Sequence, residues 1–498
     1  MSVTASSQSA IQLVFPGQLI SRIALILITL MLLVSEARPQ TIQPWINVRD
    51  YGAVGDGVAD DTQALLSSIA AARATFPRSA VYIPAGTYRY TRMIKVDGLM
   101  VYGEGADRSI LLAANPGQSS WILTGSAPKM VDVRIRTANT QTARNTRADA
   151  TGIDVVDATN FAIQRVHIGP VASAGILVRR SRGTSSSPAI IRDCTVQQTM
   201  ADGIHLTEGS EWINVTQNEV FQTGDDFIAV VSYRWNTRTT RNVTITKNVV
   251  SNQHHGRGIS VVGGEKITID SNIIEKSSGA GIYLASETSY DTYGVSDIVV
   301  RDNNLYDVAF GNPAHGGIHM SGRAPTNGSS NEVANVTLQG NRVSNAAGNG
   351  VVFGTYSRAI TFEGNEVNKA ARNGLILSAR TSDIAIIARN GDRNVVRDVG
   401  EYGIYVKPEG SSGSLRISGV LLQNLNTLNR AYVDAINIER NSTFNSIDLE
   451  NIRLEQAPEK KIERFIESAS PINNAIGNSA NRPLNSILTV LPVNCPLP

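Results

Sequence analysis

The chain has 498 residues, 18% of them charged, and its 45 Lys and Arg against 43 Asp and Glu leave a formal net charge of +2. So even a balance supplies no global field toward nucleic acid, a membrane surface or a strongly acidic polymer, and any attraction for an anion must be local. Its 42 glycines and recurrent bursts of Asn, Thr, Val and Ile favour one repetitive all-β body over several ordinary domains.

Residues 1–37 read as a secretory signal peptide. Ile23 to Val34 is an apolar run after Arg22, followed by the small-residue cleavage pattern Ser35-Glu36-Ala37. The run is short for a membrane span and suits a signal core, so the expected location is secreted or periplasmic, with no stable span after cleavage. An uncleaved anchor extended by Leu19 and Ile20 is the alternative. Cys194, in an expected strand, and Cys495, near the end, could pair after export, but spacing does not establish it. No Cys/His cluster suggests zinc, and no metal is expected.

Residues 38–455 are expected to form the main domain. Val48 to Leu65 reads VRDYGAVGDGVADDTQAL, in which Gly52, Gly55 and Gly57 mark tight turns. Asp60 or Asp61 can cap a helix over Thr62–Ala74, with Ala64, Leu65, Ile69 and Ala72 on one face. A strand broken by a turn follows in VYIPAGTYRY, then VYGEG. A short amphipathic helix ahead of the first coil would cover the open end of a stacked β-structure. In residue type and order, these sixty or so residues resemble the N-terminal signature of the pectate-lyase-like right-handed parallel β-helix superfamily. The resemblance implies fold rather than chemistry, so Asp50, Asp56, Asp60 and Asp61 read as turn and cap residues.

From Gly152 the chain repeats at roughly 22–38 residues, the mark of a solenoid. One column is Asn after a β-branched strand: Asn218, Asn248, Asn272, Asn303, Asn341 and Asn365. The other is Gly before an aliphatic residue: Gly175, Gly203, Gly258, Gly281, Gly317, Gly350, Gly374 and Gly403. Stacked amides can bond coil to coil, and Gly permits positive φ or close approach at a corner. The longest departures, 178–188, 232–242 and 285–296, are expected to wall a groove. Residues 456–498 are expected to hold a C-terminal helix, in PEKKIERFIESAS, and an irregular cap.

The charged corners lie at Asp202-Gly203-Ile204, Asp226-Phe227-Ile228 and Arg257-Gly258-Ile259. On successive coils roughly 4.8 Å apart they form a column, with Asp225 beside it. Carboxylates so crowded oppose one another's ionisation, which suits a glycosidase needing one protonated and other ionised carboxyls. The series ADGIHL, TGDDFIAV and HHGRGISVVGG resembles the core of the polygalacturonase-type glycoside hydrolases, which are inverting. That resemblance implies Asp225 as general acid, with Asp202 and Asp226 holding the attacking water. Two departures count: the family's His falls on Arg257, with His255 two residues upstream, and its Arg-Ile-Lys segment is replaced by AGIYLASE. Polygalacturonate is thereby disfavoured and a neutral glycan favoured, and a weaker resemblance is to bacterial α-1,3-glucanases.

Arg257 could neutralise the column, touch substrate or act as a base, and His254 and His255 could be no more than turn residues. Trp212, Tyr233, Trp235, Tyr283 and Tyr290 lie in or beside the loops and could stack on sugar rings, Trp235 best of all. The substrate-binding set is therefore Arg257, His255, Trp235, Tyr233 and Tyr283, the partner a polysaccharide, and the protein a monomer. The main rival is a lyase or epimerase on the same fold, in which the three aspartates would ligate Ca²⁺. The third is a non-catalytic glycan-binding β-helix, for which Asp225→Asn would change nothing.

Overall fold

The structure is a computed structural model. It describes residues 45–75, 78–139, 143–326, 330–407, 409–439, 443–457, 459–468, 472–476, 478–480 and 489–490. The expected signal segment and Cys495 lie outside these residues. From Ile46 onward the chain is one compact body.

Its strands are short, and every pairing along the stack is parallel to the equivalent strand of the next coil, giving a right-handed parallel β-helix. One sheet has 15 strands; the other two pair coil to coil in the same way and merge near the C-terminal end. The site lies on the 15-stranded sheet, along β1 (Ile204–Thr207), β2 (Ile228–Val231), β3 (Ile259–Val262), β4 (Ile282–Ala285) and β5 (Gly316–Ser321). Their register runs Ile204↔Ile228↔Ile259↔Ile282↔Ile318. These isoleucines point into the coil and are fully buried. In β2, β3 and β4 the outward residues are buried too, because Ala229, Val231, Val262, Ala280, Tyr283 and Ala285 form a second apolar layer outside the coil.

The Asn column forms a continuous ladder. Each Nδ2 donates to the next Oδ1, from Asn218 through Asn248, Asn272, Asn303 and Asn341 to Asn365, at 2.9–3.0 Å. Each acceptor Oδ1 also takes the backbone N–H of the Asn before it, as Asn248 does from Asn218. Asn394 adds a rung that the repeat does not reveal, its Oδ1 accepting from Asn365 N–H at 2.8 Å. The glycine corners need close approach rather than positive φ. A Cβ on Gly258 would stand 2.1 Å from the Gly281 carbonyl oxygen, and one on Gly203 2.6 Å from that of Phe227.

Helix α1 (Thr62–Ala74) buries Leu65, Ile69 and Ala72 against the first coils, as expected. Asp61 precedes it but makes no side-chain cap bond. Its carboxylate accepts instead from Val54 and Gly55 N–H, closing the glycine turn.

Among the described residues, 459–468 form no helix where one is expected, and the coil stack does not stop at 455. Arg464-Phe465-Ile466 repeats the polar–Phe–Ile corner. Ile466–Ser468 pairs in parallel with Ile436–Ile438, and Asn474–Ile476 with part of Ser446–Glu455. The helical spacing of Ile462, Phe465 and Ile466 misleads because Phe465 and Ile466 are consecutive corner and interior residues of one coil, both fully buried. Among the described residues, no helix is long and apolar enough to cross a membrane.

Candidate active site

The register of β1, β2 and β3 places Asp202, Asp226 and Arg257 each two residues ahead of its strand's first isoleucine, on three successive coils. Asp225 sits beside Asp226. One carboxylate oxygen from each of Asp202, Asp225 and Asp226 lies within 4.8 Å of the other two. They floor a cavity of about 150 Å³, which His255, Arg257, Tyr233, Glu287 and Tyr290 also line.

Each carboxylate has its own partner. Asp202 Oδ2 lies 2.5 Å from His205 Nδ1. Asp226 accepts from Arg257 N–H at 2.6 Å and from the Ser260 hydroxyl at 2.5 Å. Arg257 Nε stands 3.0 Å from Asp226 Oδ1 but off the N–H line, so that contact is Coulombic rather than a hydrogen bond. Asp225 Oδ2 is met at 2.5 Å by Arg144 Nη1, which comes from a loop 81 residues earlier. Burial, reinforced by Asp202 and Asp225 and opposed by Arg257, pushes the Asp226 carboxyl above the usual aspartate range.

The residues expected to bind substrate divide. Tyr233, His255 and Arg257 line the cavity. Trp235 does not: it is 65% exposed and stacks on Tyr233 at 4.1 Å. Tyr283 is buried and lies beneath the Arg257 guanidinium, 4.8 Å from its ring centre, so it supports Arg257 instead of offering a face to a sugar. Of the three loops, 232–242 and 285–296 supply walls through Tyr233, Glu287 and Tyr290. Loop 178–188 does not reach this cavity; its Arg180 and Arg182 line another, with Glu208 and Gly209, and its Arg179 lines a space that shares Arg144, Asp202, His205 and Tyr233 with this one. Arg144, Ser260 and Glu287 go unrecognised in sequence. Ser260 and Glu287 could have been found by register and loop position, whereas nothing in the repeat points to Arg144.

Three carboxylates this close could in principle hold a cation. Both oxygens of Asp226 are already engaged by Arg257 and Ser260, and Asp225 by a guanidinium. A cation bound here would have to share these oxygens with the Arg257 N–H, the Ser260 hydroxyl and the Arg144 guanidinium.

A family model described as rhamnogalacturonase A/epimerase, pectate lyase-like, matches residues 45–283, and one for a right-handed β-helix region matches 232–351. The catalytic unit of a thermostable GH87 α-1,3-glucanase from Streptomyces thermodiastaticus superposes with a TM-score of 0.56 at 16% identity, over 89% of this chain and 70% of that one. The pre-mature gene product 12 of bacteriophage phi29 gives 0.59 at 14% identity, over 95% and 59%. At these identities the structural likeness shows the fold. Mannuronan C5-epimerase AlgE1 of Azotobacter vinelandii is 56% identical over 43 residues, 9% of this chain and 3% of that protein. The match thus spans only a small part of that relative's length.

Proposed function

We propose that this pectate-lyase-like right-handed parallel β-helix is an exported hydrolase of a neutral polysaccharide. The observation that carries the reading is the trio of Asp202, Asp225 and Asp226, gathered within 4.8 Å on the floor of a walled cavity. Asp225, offset from the column, donates its proton to the leaving glycosidic oxygen as the bond to the anomeric carbon breaks. Water held by Asp202 and Asp226 attacks that carbon from the opposite face and gives its proton to one of them. The four carboxylates around the cavity, Glu287 included, outnumber the guanidinium groups of Arg144 and Arg257. A polyuronate would be repelled, and the glucanase-like fold makes α-1,3-glucan the first neutral polymer to try.

The test is a panel of neutral and acidic polysaccharides, followed by reducing ends and by absorbance from unsaturated uronate, with and without EDTA. Reducing ends from a neutral glycan, unaffected by EDTA, are expected. An EDTA-sensitive unsaturated product would install the lyase instead. Glycan binding without cleavage, identical in Asp225→Asn, would leave a binding module. The trio is tighter than the roughly 6.5–9.5 Å usual for inverting pairs, so NMR of the first-formed anomer is the sharpest check on the water's placement.

A further inference from the structure

The cavity over the three aspartates does not stand alone. A second, of about 350 Å³, adjoins it toward the N-terminal coils and shares Arg144, Asp202, His205 and Tyr233 with it. Its own walls include Thr146, Ser173 and Thr207, the apolar Leu177, and the oppositely charged Arg179 and Glu208, hydrogen-bonding groups beside an apolar patch, which suits a sugar. Arg144 lines both spaces and spans the boundary between them.

The partners of the three carboxylates differ in how firmly they are held. His205 lies on β1, Arg257 at the corner that leads into β3, and Ser260 on β3, so all three belong to the coil stack. Arg144 comes from outside the stack and is 46% exposed. Its loop is tied down just after it, where Asn145 N–H donates to the Ala172 carbonyl at 2.7 Å, so the side chain can leave without the backbone following. It also occupies the carboxylate offset from the column, covering the Asp225 oxygen that would otherwise face a glycosidic bond.

We propose that the two cavities are halves of one glycan channel, and that a chain entering the second half displaces Arg144 from Asp225, freeing the acid. This rests on the hydrolase reading above. Cleavage is then restricted to substrates long enough to fill both halves, and short ones are discriminated against because they leave the guanidinium in place.

The experiment compares wild type with Arg144→Ala and Arg144→Lys on α-1,3-glucan and on its reduced di- to hexasaccharides, or on whichever neutral polymer of the panel is cut. Binding is measured by calorimetry in an Asp202→Asn background, which keeps the Arg144–Asp225 pair. Arg144→Ala should raise the ratio of kcat/KM on the shortest cleaved oligosaccharide to that on the polymer about fivefold to tenfold, since Asp225 is then free without a chain filling the second half. Arg144→Lys should keep the length preference. An unchanged ratio of polymer to short-substrate rates overturns the proposal, and so does a parallel collapse of both rates, which would make Arg144 a substrate ligand. If glycans bind without being cut, the chemistry fails but the channel stands when Arg144→Ala tightens only the longer oligosaccharides. Failure of every glycan to bind overturns both.

Discussion

Two places on the 15-stranded sheet repeat one arrangement. Asp226 precedes Ile228 by two residues and meets Arg257 of the next coil, with Asp226 Oδ1 3.0 Å from Arg257 Nε. Asp434 precedes Ile436 by two and meets Arg464 of the next coil, with 3.1 Å between the same atoms. Both aspartates are buried. The surroundings differ. The coil before Asp226 carries Asp202, and Asp225 stands alongside; the coil before Asp434 carries Tyr402, and Val433 stands alongside. At Asp434 the remaining polar atoms satisfy one another: Asn437 Nδ2 donates to Asp434 at 2.9 Å and to Glu467 at 3.1 Å, and Arg464 Nη2 lies 2.6 Å from Glu467. An arginine one coil beyond a buried corner aspartate is therefore how this solenoid neutralises such a corner. Arg257 needs no catalytic explanation, and what sets the first place apart is the extra pair of carboxylates under an open cavity.

The largest effect should separate the two places outright. Asp225→Asn should lower kcat about 10²–10⁴-fold, the span of a lost general acid, with little change in thermal unfolding. Asp434→Asn should leave kcat near wild type. Comparable losses of activity in both would mean that the trio has no special part in the chemistry.

Removing the arginines should bring the two places together again, in stability. Arg257→Gln leaves Asp226 buried without its cation, a loss of about 3–5 kcal/mol, and should lower the denaturation midpoint. Arg464→Gln should cost less, because Asn437 still donates to Asp434. The loss at Asp226 depends on pH in a definite direction. Its folded value lies above the unfolded one, through burial first, so its contribution is intact below the ordinary aspartate range and is lost as pH rises through the folded value. Arg257→Gln should therefore be mild near pH 4 and worst above neutrality, and the reverse order in a urea titration series would contradict the assignment.

The same comparison shows what the sequence makes legible. The Asn ladder can be read because a buried amide must bond along the stack, which forces Asn to recur at one place; Asn394 escapes because the turn at Arg389–Asp392 is inserted between it and the preceding strand, Ser382–Ile387. The corner at Asp202, Asp226 and Arg257 is readable for the same reason of register. Arg464-Phe465-Ile466 carries the same signature as Asp226-Phe227-Ile228, yet it is hidden by neighbours whose spacing imitates a helix. Arg144 has no register at all. It reaches Asp225 across 81 residues of chain from a loop, and no local pattern encodes such a contact.

The smallest expected effect asks whether the charge on Arg257 is felt beyond its own corner. The His315 ring stacks on Tyr283 at 5.2 Å, and Tyr283 carries the Arg257 guanidinium on its ring. Burial first, and Arg257 second, hold the His315 imidazole down to about 4, and its Nδ1 accepts from Ala280 N–H at 3.2 Å, a bond that needs that nitrogen unprotonated. The folded value lies below the unfolded one of about 6.5, so neutral His315 contributes stability that is present above that pH and lost as pH falls toward 4. Arg257→Gln removes the lesser cause and keeps the greater. The midpoint, followed by NMR of the ring Cε1–H, should rise yet stay below the unfolded value, and the acid loss of stability should begin at higher pH. Arg464→Gln should leave that midpoint alone, since its guanidinium serves Asp434 and Glu467 on distant coils. Equal shifts in the two variants, or none in Arg257→Gln, would mean that Arg257 is spent entirely on Asp226, and the two arginines would then be alike in reach as well as in geometry.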